Sequence, residues 1–197
     1  MEKKSVSATV LVIFVAIFFS IIGVCFSMFV YKDTKIVIQK VGIVTAGGIS
    51  VYSDEKLTKP ASELKLSKLE LGMKPATGEV DAESQVPSTI DDKGTSEGYF
   101  AKVYVKAGSD FKIVIKDVKI NTKKDQIAAD EQKKNIFISL KGIEKSTKSL
   151  EKDNTEVASF KDVSETLELT VLIWLGSFAS DDLEGAKITF NLEFQAS

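Results

Sequence analysis

Three groups of carboxylates in the chain have the spacing of side chains that can do chemistry: Asp81 with Glu83, Asp91 with Asp92, and Asp181 and Asp182 with Glu184. Each falls in a polar stretch between apolar runs. Oxygen-rich loops of this kind can hold calcium, which takes about 6–8 oxygen ligands. None has EF-hand spacing. Asp181, Asp182 and Glu184 make the candidate calcium site, because they lie at the mouth of the two plainest strands in the chain. Paired carboxylates also drive glycoside hydrolysis when held about 5–10 Å apart across a cleft, but no pattern here signals a cleft. Gly47-Gly48 lies between two strand runs and lacks a P-loop lysine and serine, so it reads as a turn. Trp174, Tyr99 and Tyr104 sit within strand runs, where core packing uses an aromatic ring more often than sugar stacking does. The expectation is a protein that is not an enzyme, with calcium as its one candidate cofactor.

Composition narrows the chemistry further. All 26 basic residues are lysine, and histidine is absent. The chain has no imidazole for a Ser-His or Cys-His pair or a histidine metal site, and no guanidinium fork for phosphate or guanine recognition. A net charge of −2 and a pI near 5.4 argue against a nucleic-acid partner. Cys25 is the single cysteine, so no disulfide forms within one chain. It lies in an apolar stretch as a membrane residue or as a lipidated one.

The elements that position these residues begin with Met1-Glu2-Lys3-Lys4, a short basic leader. Val6–Tyr31 follows without one charged side chain, longer than the roughly 20 residues that span a bilayer as a helix. Residues 1–31 are therefore a signal peptide or a membrane anchor, in contact with the membrane during export or permanently. The chain beyond them is expected outside the cytoplasmic membrane, as an extracellular or cell-surface domain.

That remainder reads as strands with period two, which sends alternate side chains to one face of a sheet. In Lys187–Gln195, Ile188, Phe190, Leu192 and Phe194 share the core face, and Lys187, Thr189, Asn191, Glu193 and Gln195 the other. Thr166–Leu175 directs Leu167, Leu169, Val171, Ile173 and Leu175 inward. Its Leu172 and Trp174 make the second face apolar towards the end, so that end is covered. Phe111, Ile113 and Ile115 alternate, and Val118 and Ile120 resume out of phase. Such a slip places a β-bulge near Lys116-Asp117. Further runs are Tyr99–Lys106, Asn135–Ile143, Glu63–Leu71, Gly48–Tyr52 and Thr34–Gln39. Lys123–Lys134 is the one helical stretch. About eight strands with long connections predict an all-β, jelly-roll-like two-sheet sandwich after one N-terminal apolar helix. Its parts are residues 1–31, an extended segment over 32–47, and the sandwich over 48–197. Gly72–Gly98 and Lys145–Asp162 read as long polar connections.

The order of features resembles a known family. The apolar segment is followed by Thr34-Lys-Ile-Val-Ile-Gln-Lys-Val-Gly-Ile-Val-Thr-Ala-Gly-Gly-Ile-Ser-Val-Tyr52, then Ser53-Asp-Glu-Lys-Leu-Thr-Lys-Pro60 and a run ending Leu69-Glu-Leu-Gly72. Gly98-Tyr-Phe-Ala-Lys-Val-Tyr-Val-Lys106 comes mid-chain. The chain closes on Trp174-Leu-Gly176, an acidic loop, and Gly185-Ala-Lys-Ile-Thr-Phe-Asn-Leu-Glu-Phe-Gln-Ala196. This resembles the secreted jelly-roll filament subunits of the TasA/camelysin type and their archaeal relatives in threads, bundling pili and cannulae. The resemblance implies a structural subunit of an extracellular filament or sheath, a head-to-tail homopolymer built by donor-strand complementation. The implied donor strand is the first after the apolar segment, with Thr34, Lys35, Ile36, Val37, Ile38, Gln39, Val41 and Ile43. Two alternatives stand beside it. The segment is the first strand of its own sheet, or the whole chain is a membrane-anchored monomeric surface module for binding or adhesion.

Overall fold

Four large apolar side chains at period two make Lys187–Ala196 the strand around which one sheet is built. In the computed structural model, which describes residues 37–66, 98–176 and 178–197, Ile188, Phe190, Leu192 and Phe194 are each at most 2 % exposed. Among the described residues nine strands run in chain order: β1 (Val37–Thr45), β2 (Ser50–Tyr52), β3 (Gly98–Lys106), β4 (Phe111–Asn121), β5 (Ile136–Leu140), β6 (Lys148–Ser149), β7 (Thr155–Phe160), β8 (Leu167–Leu175) and β9 (Lys187–Ala196). They form a four-stranded sheet, β1-β9-β4-β7, and a five-stranded sheet, β2-β3-β8-β5-β6. The inward residues of both sheets belong to one apolar core. The protein is mostly β, as its alternation predicts. The expected N-terminal helix lies outside the described residues, and among those no helix is long and apolar enough to cross a membrane.

The phase slip in β4 has the predicted cause. Against β9 its register shifts between Lys116 and Lys119, and Asp117 takes φ 56°. That one extra residue lets Phe111, Ile113 and Ile115 before it, and Val118 and Ile120 after it, all point into the core. The polar face of the bulge is tied down locally. Val118 N–H donates to Asp153 Oδ1 at 3.0 Å, and Asn154 N–H donates to the Ile115 carbonyl at 2.8 Å. On the five-stranded sheet, Leu172 and Trp174 are covered as expected, at 2 % and 0 % exposure. Trp174 stacks on its cross-strand neighbour Phe137, with ring centroids 5.7 Å apart.

Several expectations change. The helical stretch shrinks to α1 (Gln126–Glu131), followed by a 3-10 turn over Gln132–Asn135. Asp125 caps α1 by accepting from Ile127 N–H at 2.9 Å and Ala128 N–H at 3.2 Å, which sets its start three residues later than composition suggests. The polar connection Lys145–Asp162 contains β6 and β7. β7 is an edge strand hydrogen-bonded to β4. It buries Val157 and Ala158 and stacks Phe160 on Phe111, but polar residues on either side hide these few apolar positions in the sequence. Of the expected run over Glu63–Leu71, the described part makes one antiparallel bridge, Gly42 to Glu63. Most of the Gly72–Gly98 connection lies outside the described residues.

Candidate strand-exchange site

β1 occupies a slot. On one side it pairs with β9 from Val37 opposite Lys187 to Thr45 opposite Phe194. On the other side Ile43 N–H donates to the Ser62 carbonyl at 2.9 Å, and Leu64 N–H donates to the Val41 carbonyl at 2.8 Å. The far wall is held by the loop after β2. There the Asp54 carboxylate accepts from Lys59 N–H at 2.7 Å, Thr58 Oγ1 at 2.6 Å and Thr58 N–H at 3.1 Å. The Thr58 hydroxyl bond is the main cause that draws the Asp54 carboxyl below its ordinary range. Ala61 N–H then donates to the Val51 carbonyl at 2.8 Å, which returns the chain alongside β1.

The pairing of β1 with β9 is parallel, whereas every other strand pair among the described residues is antiparallel. Ile38, Val41 and Ile43 face the core at 9 %, 0 % and 9 % exposure. Their spacing breaks period two because Gln39 is an extra residue, with the register shifting between Ile38 and Lys40. Of the expected donor residues, Val37, Ile38, Gln39, Val41 and Ile43 lie in β1. Thr34, Lys35 and Ile36 lie outside the described residues. A four-residue connection, Ala46–Ile49, joins β1 to β2 across the two sheets, and its Gly47 and Gly48 take φ 74° and 79°. Glycine occupies this left-handed region without strain, so the predicted turn is there.

On the outer face of the same sheet, Asn191 Nδ2 donates to Asp117 Oδ2 at 2.8 Å and the Asn191 side chain lies over Gly42. Period-two alternation marks Asn191 only as solvent-facing and misses this contact. Asn191→Asp places a second carboxylate against Asp117 and is expected to cost about 1 kcal/mol. Chemical denaturation of the parent and variant at neutral pH measures it. Beside it Lys116 Nζ and Glu193 Oε2 pair at 2.7 Å. The Lys116 hydrogen bond, with help from Gln195, holds the Glu193 carboxyl below the usual glutamate range. A depressed carboxylate stabilises the fold above its unfolded pKa and loses that contribution as pH falls through the folded value. For a pair this close to solvent the contribution is about 0.5 kcal/mol. A Lys116→Gln variant should therefore melt slightly below the parent at pH 7, and the gap should close as pH falls below the usual glutamate range.

The candidate calcium ligands do not converge. Asp181 and Asp182 open a 3-10 turn, Asp182 accepts from Ser180 Oγ, and Glu184 pairs with Lys124 Nζ at 2.7 Å. Among the described residues no three His, Cys, Asp or Glu side chains gather as a metal ion would need. Asp81, Glu83, Asp91 and Asp92 lie outside the described residues. Trp174 and Tyr99 are buried, at 0 % and 7 % exposure, and Tyr104 is half-buried. No family model, no curated protein and no solved structure matches this chain.

Proposed function

We propose that this chain is a structural subunit of an extracellular filament or sheath, polymerising head to tail as β1 of one copy fills the slot beside β9 of the next. The observation that carries the reading is the direction of β1. With the three-residue β2 set aside, the strand orders β1-β9-β4-β7 and β3-β8-β5-β6 support reading the two sheets as a jelly roll, an antiparallel architecture. The first strand of a jelly roll runs antiparallel to the last. Here that place is filled by a strand running parallel to it, a departure that we read as a strand added to complete the sheet. The core residues Ile38, Val41 and Ile43 supply the apolar contacts, and the β9 edge supplies the backbone partners.

Exchange between copies preserves the contacts of β1 with β9 as far as Gly47 and changes only the connection from Gly48 to Ile49, the economy of domain swapping. A contact that does not close on itself propagates into a fibre. The apolar stretch Val6–Tyr31 accounts for export. We place the functioning domain at the cell surface or beyond it, with a second copy of itself as its partner.

One observation favours a second reading, a membrane-anchored monomeric binding or adhesion module: β1 completes the sheet of its own chain. Electron microscopy separates the two. The full chain, produced in an exporting host, should give filaments at the surface or in the medium. A Val41→Asp variant, exported in equal amount, should give none. Dispersed monomers from both would overturn the filament reading.

A further inference from the structure

β1 meets β9 at two places where it has no side chain. A Cβ on Gly42 would sit 2.2 Å from Asn191 Oδ1, and a Cβ on Gly47 would sit 2.5 Å from the Ala196 Cβ. The spacing matches, since residues 42 and 47 of one segment lie against 191 and 196 of the other in a single parallel register. Burial alone does not fix this register. A one-residue slip turns Val41 and Ile43 out of the core and is rejected on that ground, because alternation has period two. A two-residue slip keeps the same faces in and out.

The glycines distinguish the two-residue slips. A slip one way brings Lys40 opposite Asn191 and Thr45 opposite Ala196, and a slip the other way brings Val44 and Ile49 there. Each of these carries a Cβ. Swinging Asn191 aside would cost the hydrogen bond its Nδ2 donates to Asp117 Oδ2 at 2.8 Å on the β4 bulge.

We infer that Gly42 and Gly47 form a two-point register key by which Asn191 and Ala196 of β9 select the β1 segment of a second copy of this chain. The slot therefore takes a parallel, extended segment with glycines five residues apart, and rejects apolar strands that match only in alternation. The choice of a second copy rests on the strand-exchange reading above, whereas the key itself acts wherever β1 lies.

Disulfide trapping in the full chain carrying Cys25→Ser tests it. Val44 is opposite Glu193 in the native register, and a two-residue slip brings it opposite Gln195. Copies with Val44→Cys are mixed with copies carrying Glu193→Cys or Gln195→Cys and oxidised by copper–phenanthroline. The same pairs are also placed within one chain. The Val44–Glu193 disulfide should exceed Val44–Gln195 at least tenfold between copies, and Asn191→Ala, which removes one of the two points, should lower that ratio at least threefold. Gly42→Val should lower the Val44–Glu193 yield at least tenfold in both formats, and Asn191→Ala in the same chain should restore it to within threefold.

Equal yields in the parent, an unaffected Gly42→Val variant, or a loss that Asn191→Ala does not restore would overturn the key. Should Gly42→Val fail to fold, the Asn191→Ala comparison still decides, since that variant only removes atoms. Disulfides that form within single chains and never between copies would overturn strand exchange and the second-copy partner, independently of the key.

Discussion

Deleting Val37–Thr45 is expected to abolish filaments while leaving an exported, partly destabilised domain that a β1 peptide restores. The deletion exposes the backbone edge of β9 and the edge of residues 61–64, and uncovers core that Ile38, Val41 and Ile43 now close. A synthetic peptide of residues 37–47 pairs both edges again. Because it binds only the folded state, it stabilises by about 2.7 kcal/mol at a hundredfold excess over its Kd. That corresponds to roughly 5–10 °C in Tm for a domain of this size. Lysine in the peptide at Val41 or Ile38 should cancel the rescue, since each side chain would enter the core. Lysine at Gln39 should be tolerated, because that residue is exposed at the bulge. Thermal melts with each peptide measure this. Filaments formed normally without residues 37–45 would defeat strand exchange, and a deleted domain that no peptide refolds would make β1 an inseparable part of its own fold.

The other large effect lies in β9. Phe190→Asp or Phe194→Asp should cost at least about 4 kcal/mol, because each places an unpaired carboxylate where the ring is at most 2 % exposed. Phe194 also packs near the Phe111 ring, with centroids 6.3 Å apart, and Phe111 stacks on Phe160 at 4.8 Å. Its loss therefore loosens three strands together. Equilibrium denaturation should show either variant unfolded or close to it at 25 °C, whereas Lys187→Gln on the exposed outer face should shift the midpoint little. Equal tolerance of the three changes would mean that the inner face of β9 is misassigned.

Where a strand is long and buried on one face, its sequence is enough to place it. β9 alternates over its whole length, and β4 declares its bulge by the step from Ile115 to Val118. The same signal stands in β1 as the step from Ile38 to Val41, although the run read from sequence stops at Gln39 and misses it. Alternation carries no strand direction, so the parallel pairing of β1 with β9 has no counterpart in the sequence. Nor does alternation show that the Asn191 side chain lies over a glycine of another strand, since that depends on register between segments about 150 residues apart. β7 escapes notice because its apolar residues Val157, Ala158 and Phe160 do not alternate and stand among charged and polar ones. The acidic group at Asp181 is visible in sequence, but its pairing with Lys124 is set by the packing of α1 against the turn before β9.

The slot grips β1 along both edges, and this bears on time as much as on affinity. A strand of nine residues cannot leave it one contact at a time without baring core, so release passes through a state in which most of its bonds are broken together. If copies trade strands as proposed, the height of that barrier, more than the equilibrium it separates, governs how fast they do so. Under the strand-exchange proposal, a chain that has closed on its own β1 is thus a dormant monomer, slow to join others at any concentration. Two samples with the same composition will differ according to whether folding or encounter came first.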